Sequence, residues 1–145
     1  MQKAPSIVQG DALDMDWSAV LPADRCDYVL GNPPFVGAKY QTAAQRARVR
    51  RIAGLGGSGG TLDYVTAWLI KAGAYATGGT RIGFVATNST TQDEQVGQLW
   101  PLLFDRCGLE IAFAHRTFAR GSDARGKAHV HIAILGLDAG RNGPD

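Results

Sequence analysis

Apolar residues fall into two alternating patterns along this chain. Short runs bounded by glycine, proline or polar residues read as strands: Ser6–Gln9, Asp27–Leu30, Arg81–Thr87, Glu110–His115 and Ala128–Leu137. Between them lie stretches with apolar residues at helical spacing: Thr42–Ala53, Leu62–Ala72, with Asp63 near its start where a carboxylate suits the dipole, and Gln92–Phe104. Trp17–Asp24 reads as an irregular or weakly helical crossover, and Gly54–Gly60 as a mobile surface loop. The last two strands are joined only by the polar segment Phe118–Lys127, which is no helical crossover, so that pair must be antiparallel. The pattern predicts an α/β fold with a helix-flanked, mostly parallel sheet and one antiparallel strand near its end.

Composition narrows the class. A chain of 145 residues suits one domain with a sizeable core. No run approaches the roughly 20 apolar residues of a membrane span. Met1–Pro5 lacks the apolar heart of a signal peptide, so a cytoplasmic location is expected. Cys26 and Cys107 stand alone, as reduced, partly buried thiols do. A net charge of +2 does not by itself point to nucleic acid. Acidic residues (Asp11, Asp14, Asp16, Asp24, Asp27) crowd the start, whereas basic ones gather at Arg46, Arg48, Arg50 and Arg51 and again at Arg116, Arg120, Arg125 and Lys127. Such basic clusters are solvated faces or phosphate contacts.

The most chemically pointed stretch is Asn32-Pro33-Pro34-Phe35, directly after a strand closed by Gly31. Two prolines stiffen the loop and remove two donors, leaving one amide, one free carbonyl and one aromatic face. Such a corner suits a ligand that offers an amino group on a flat ring. Asp11, at the tip of the first predicted strand, either accepts from a ligand donor or caps the following turn. Gly54–Gly60 formally contains G-x-G-x-x-G, but it follows a basic helix and lacks an acidic residue some 20 positions on, so it is no cofactor cradle. His129 and His131 share a strand face without a third ligand, and no metal site is expected.

Taken in order, Gly10-Asp11, Gly31–Gly37, Leu62-Asp63-Tyr64-Val65, Phe84–Ser89, Ala114–Phe118 and Gly126–His131 resemble the catalytic domain of the adenine-N6 DNA methyltransferases, most nearly the MmeI-like (type IIL) restriction–modification enzymes. The likeness runs from about residue 6 to residue 137. It implies a three-layer, Rossmann-like class I methyltransferase sheet, S-adenosylmethionine as cofactor and double-stranded DNA as partner, with no membrane. Asn32 and Pro33 would accept the two hydrogens of the target amino group, Pro34 would stiffen the corner, and Phe35 would stack on the flipped base. Asp11 and Ala12, with Asn32, would hold the cofactor. Phe118 would be a second aromatic wall or pack in the core, and Arg116 and Lys127 would be the basic residues nearest DNA.

The match departs in two ways. Arg120 and Ser122 stand where the family usually has tryptophan and asparagine. The family's first two strands, with its glycine-rich cofactor turn and ribose-binding acid, should precede Ile7, and a target-recognition domain should follow Leu137. Residues 1–137 are thus expected to be the substrate half of a catalytic domain, with 138–145 a linker or truncation tail. Ile7–Gln9 should then be poorly anchored, the other four strands should form one sheet, and the isolated chain should be inactive and bind the cofactor weakly. Two rival functions fit the same corner: methylation of a glutamine amide in protein, and a catalytically incomplete remnant that only binds DNA or a partner.

Overall fold

Strand β1 (Tyr28–Gly31) lies parallel to β2 (Arg81–Thr87), and β2 lies antiparallel to β4 (Val130–Ala139), which in turn pairs antiparallel with β3 (Leu109–Arg120). The four form one sheet in the order β1-β2-β4-β3. Three strands therefore run one way and β4 runs against them. This is a computed structural model that describes residues 4–54, 62–91, 94–120 and 130–140. The antiparallel pairing of the last two strands, deduced from their short connection, is present from Leu109↔Ala139 to Arg120↔Val130. β3 is longer than the sequence pattern indicated, and β4 ends two residues later. Phe118–Arg120, assigned to a loop, continue β3 after a register shift between His115 and Phe118. Asp138 and Ala139 continue β4, with Asp138 opposite Arg81. The ladder supplies backbone partners that a period-two hydrophobic pattern does not reveal.

Ser6–Gln9 forms no strand. Ile7 is 87% exposed and Val8 52%, and the described residues place no strand beside them. The poor anchoring expected of this segment is what the structure has.

Among the described residues there are four α-helices: α1 (Trp17–Val20), α2 (Ala43–Ala53), α3 (Thr66–Tyr75) and α4 (Glu94–Pro101). Helix α2 starts at a reciprocal cap, in which the Gln45 N–H donates to the Thr42 hydroxyl and the Thr42 N–H donates to the Gln45 side chain. It stops at Gly54, whose φ of 64° is a left-handed conformation that glycine adopts freely. Residues 55–60 of the predicted loop lie outside the described residues. Helix α3 is buried on most sides through Thr66, Ala67, Leu69, Ile70, Ala72 and Gly73. Each fully buried leucine or isoleucine there contributes on the order of 1.5–3 kcal/mol.

Two helix predictions need correction. The α3 segment was expected to begin at Leu62, with Asp63 facing the helix dipole. Instead 62–65 form a turn, in which the Thr66, Ala67 and Trp68 amides bond three residues back, and the Asp63 carboxylate points elsewhere. Helix α4 was expected to run to Phe104, but it widens at Leu102–Arg106 into a π turn that the Cys107 N–H closes on the Leu102 carbonyl. Pro101 has no N–H to give the carbonyl four residues back, and the spiral loosens from that point.

Candidate active site

β1 ends at Gly31, and the ladder sets Gly31 opposite Phe84. A Cβ on Gly31 would lie 2.6 Å from Cε1 of the Phe84 ring. Only a residue without a side chain lets that ring lie against the strand end, so the glycine before the corner is a packing requirement. Beyond it, residues 32–37 have no regular structure. Pro33 is buried and anchors the bend, Asn32 and Pro34 are exposed, and Phe35 is half-buried.

A cavity of about 400 Å³ opens at this carboxyl end of β1. Its walls are Ala12, Trp17, Val29, Leu30, Gly31, Asn32, Pro33, Pro34, Trp68 and Phe84. Apolar and aromatic surface with a few polar groups at one rim, at this size, suits a small molecule bearing a flat ring.

One wall is the turn 11–15. The Asp14 and Met15 amides both donate to the Asp11 carbonyl, and the Leu13 N–H donates to Asp11 Oδ1 at 3.0 Å. Asp11 therefore caps its own turn. Its other oxygen, Oδ2, receives Arg48 Nη1 at 2.8 Å, and Arg48 Nη2 reaches Asp14 at 3.0 Å. The Trp17 indole N–H donates to the Ala12 carbonyl at 2.8 Å. Lys71 from α3 donates to the Leu13 and Met15 carbonyls, and burial lowers its pKa. Part of the acidic cluster (Asp11 and Asp14) and part of the basic cluster (Arg48 and Arg51) seen in the sequence thus satisfy each other. Arg48 also donates to the Tyr64 hydroxyl at 3.0 Å, the contact that does most to raise its pKa.

The far side of the corner is tied to the segment before α3. The Tyr64 N–H donates to the Val36 carbonyl at 2.9 Å, and the Gln41 side chain donates to the Leu62 carbonyl at 2.8 Å.

The structure thus brings Asn32, Pro33, Pro34 and Ala12 to one cavity, with Asp11 adjacent and engaged by Arg48. Phe35 sits next to the lining residues without being one of them. Arg116 and Phe118 fall on the second half of β3, within the stretch 116–120 whose side chains lie outside the described set, and Lys127 lies outside the described residues altogether. The sequence reading missed Trp17, Trp68 and Phe84 as cavity walls, because each sits in a run that serves equally well as plain core. It also missed Arg48; its signal was the coexistence of an acidic and a basic cluster of similar size. Among the described residues no group of three His, Cys, Asp or Glu side chains is placed to hold a metal ion, and no helix is long and apolar enough to cross a membrane.

Comparison with known proteins gives one direction. Residues 1–144 match the family described as "MmeI, DNA-methyltransferase domain". Among curated proteins, "DNA methyltransferase A" of Bacillus subtilis (strain 168) is 37% identical over 140 residues, covering 94% of this chain and 16% of that protein. Among solved structures, the type IIL restriction–modification enzyme MmeI in complex with DNA superposes with a TM-score of 0.85 at 45% identity, covering 95% of this chain and 19% of that one. The chain spans less than a fifth of either relative. At that coverage and identity, the chain belongs to the MmeI DNA-methyltransferase domain family.

Proposed function

We propose that this chain carries the substrate half of the catalytic centre of an S-adenosylmethionine-dependent methyltransferase, acting on the exocyclic N6 of an adenine flipped out of double-stranded DNA. One observation carries the reading: Asn32, Pro33 and Pro34 form the polar rim of an otherwise apolar cavity at the end of a sheet strand. The DNA seen with MmeI supports the choice of substrate by kinship.

The residues present fit the cofactor. The cavity has the volume of a small-molecule site, and the indoles of Trp17 and Trp68 with the Phe84 ring give it flat apolar walls. Asp11, Ala12 and Asn32 would hold the cofactor; its chemistry is an electrophilic methyl group on a sulfonium. The Asn32 side-chain oxygen and the Pro33 carbonyl accept the two hydrogens of the target amino group. Those bonds draw the nitrogen lone pair out of conjugation with the ring and aim it at the methyl. The work is positioning and electrostatic, with no covalent enzyme intermediate, and no base is required before transfer because the nitrogen becomes acidic only once alkylated. Phe35 stacks on the flipped base, a contact worth about 1–3 kcal/mol, which offsets part of the cost of unstacking it. Arg116 and Lys127 contribute phosphate contacts, and Phe118 a second aromatic wall.

In this reading the chain through Ala139, where β4 ends, is part of a class I methyltransferase domain. Further strands of its Rossmann-like sheet add at the outer edge of β1, where Tyr28 is 61% and Leu30 75% exposed. The residues after β4 lead toward a target-recognition domain, and the enzyme works in the cytoplasm. The test is transfer of a labelled methyl group by the complete protein, offered DNA and a glutamine-bearing protein substrate together. Label in the adenine of DNA is expected; label in protein alone, or none in DNA, contradicts the reading.

A further inference from the structure

Asp63 is 7% exposed, and both its carboxylate oxygens are engaged by segments distant from each other in sequence. Oδ1 accepts from the Ala38 N–H at 2.9 Å, and Oδ2 accepts from the Thr87 hydroxyl at 3.3 Å. The residue's own backbone is fixed just as firmly. Its N–H donates to the side-chain oxygen of Gln95, itself 8% exposed, at 3.1 Å, and its carbonyl accepts the Thr66 hydroxyl at 2.6 Å. A carboxylate is expensive to bury, and a packing role alone would be filled at lower cost by an apolar side chain. Its particular capacity is to join two donors with one rigid planar group.

What those donors belong to decides the role. Ala38 lies just past the corner, and Thr87 closes the strand that pairs with β1. The irregular segment 32–37 is thus held at one end by the β1–β2 ladder and at the other by Asp63. Both anchors lead back to β2, the first at Phe84 and the second at Thr87. Gly37 passes close by, with its Cβ position 3.8 Å from Asp63 Oδ1.

We infer that Asp63 is a positioning residue: it fixes where the Asn32 and Pro33 acceptors stand, without touching the substrate. The inference rests on the function proposed above. Acceptors that wander by a fraction of an ångström still bind an amine but no longer aim it, so turnover is the quantity that suffers.

The test measures kcat and KM for DNA and for S-adenosylmethionine in the complete protein, alongside amide hydrogen exchange of the peptide spanning residues 32–40. Asp63→Ala should lower kcat about 10–100-fold, leave both KM values within about threefold, and speed exchange at Ala38. Asp63→Asn keeps an oxygen for the Ala38 N–H, while the Thr87 hydroxyl turns to accept from the new amide; it should stay within about threefold of wild type in kcat and keep slow exchange. An Asp63→Ala protein with normal kcat, or an Asp63→Asn protein as impaired as Asp63→Ala, overturns the inference. If Asp63→Ala does not fold, Thr87→Val decides: a fall in kcat of about threefold to tenfold supports the clamp, and an unchanged kcat overturns it. A wild-type protein that methylates no DNA adenine refutes the proposed function instead. The exchange comparison between the Ala and Asn variants would still judge the clamp.

Discussion

Arg48 Nη1 lies 2.8 Å from Asp11 Oδ2 and 3.0 Å from the Tyr64 hydroxyl, so one guanidinium joins the turn on one side of the cavity to the segment that holds the other. The basic face of α2 is to that extent turned inward, where the sequence left solvent and phosphate as its partners. Tyr64 in turn holds Val36 through its backbone, so the two sides of the site share a single support.

Arg48→Met should therefore loosen the turn at Asp11 and raise the KM for S-adenosylmethionine about two- to fivefold, the range a partly exposed ion pair supports. The value of kcat should change less. Steady-state kinetics at varied cofactor concentration measure both; an unchanged KM would remove this ion pair from cofactor binding.

Trp17→Phe keeps an aromatic cavity wall and removes the donor to the Ala12 carbonyl. Folding stability should fall by about 0.5–1.5 kcal/mol for the lost hydrogen bond. Cofactor affinity, measured by calorimetry on the complete protein, should fall as well. Intact affinity would mean that the turn stands without its indole tether.

Gly31→Ala would drive a methyl group into the Phe84 ring, 2.6 Å from the built Cβ. Phe84 is 3% exposed and has little room to yield. Denaturant unfolding should register a loss of about 1–3 kcal/mol, typical of an overpacked core. A variant as stable as wild type would show that the ring moves freely.

Tyr75 gives a pH signature. Burial pushes its hydroxyl from 10.0 up to about 12, with the Cys26 thiol adding to the shift, and the phenol donates to the Leu21 carbonyl at 2.7 Å. An unfolded chain releases this proton near pH 10 and the folded one near 12. The resulting stabilisation is complete below pH 10 and disappears as pH rises through 12. Burial shifts Lys71 the opposite way, so the clean comparison is between wild type and Tyr75→Phe. Wild type should lose stability faster between pH 10 and 12, and parallel curves would contradict the assignment.

How much of this was legible in the sequence follows from the range of the forces involved. The four strands of the sheet, the α2 helix and the antiparallel final pair all come from local periodicity, turn residues and connection length. The corner at residues 32–35 was legible because proline and glycine leave little geometric choice. Where the reading fell short, apart from the loosening of α4 at Pro101, a long-range contact decided the outcome. The start of α3 moved because Asp63 is held by Ala38 and Thr87, each more than twenty positions away. Ser6–Gln9 has the composition of a strand, yet a strand exists only where a neighbour offers a ladder, and the described residues offer none there. Trp17 and Trp68 look like ordinary core residues until the cavity they face is seen.

The central claim is that Asn32 aims an adenine amino group at the methyl donor. The direct measurement compares wild type with Asn32→Ala in the complete protein, using labelled S-adenosylmethionine and duplex DNA, with the product digested to nucleosides. Wild type should yield N6-methyladenine, and the variant should lose roughly 10²–10³-fold in turnover, the effect of removing one preorganised polar partner. Near-normal turnover by Asn32→Ala, or methyl groups on cytosine instead of adenine, would contradict the account.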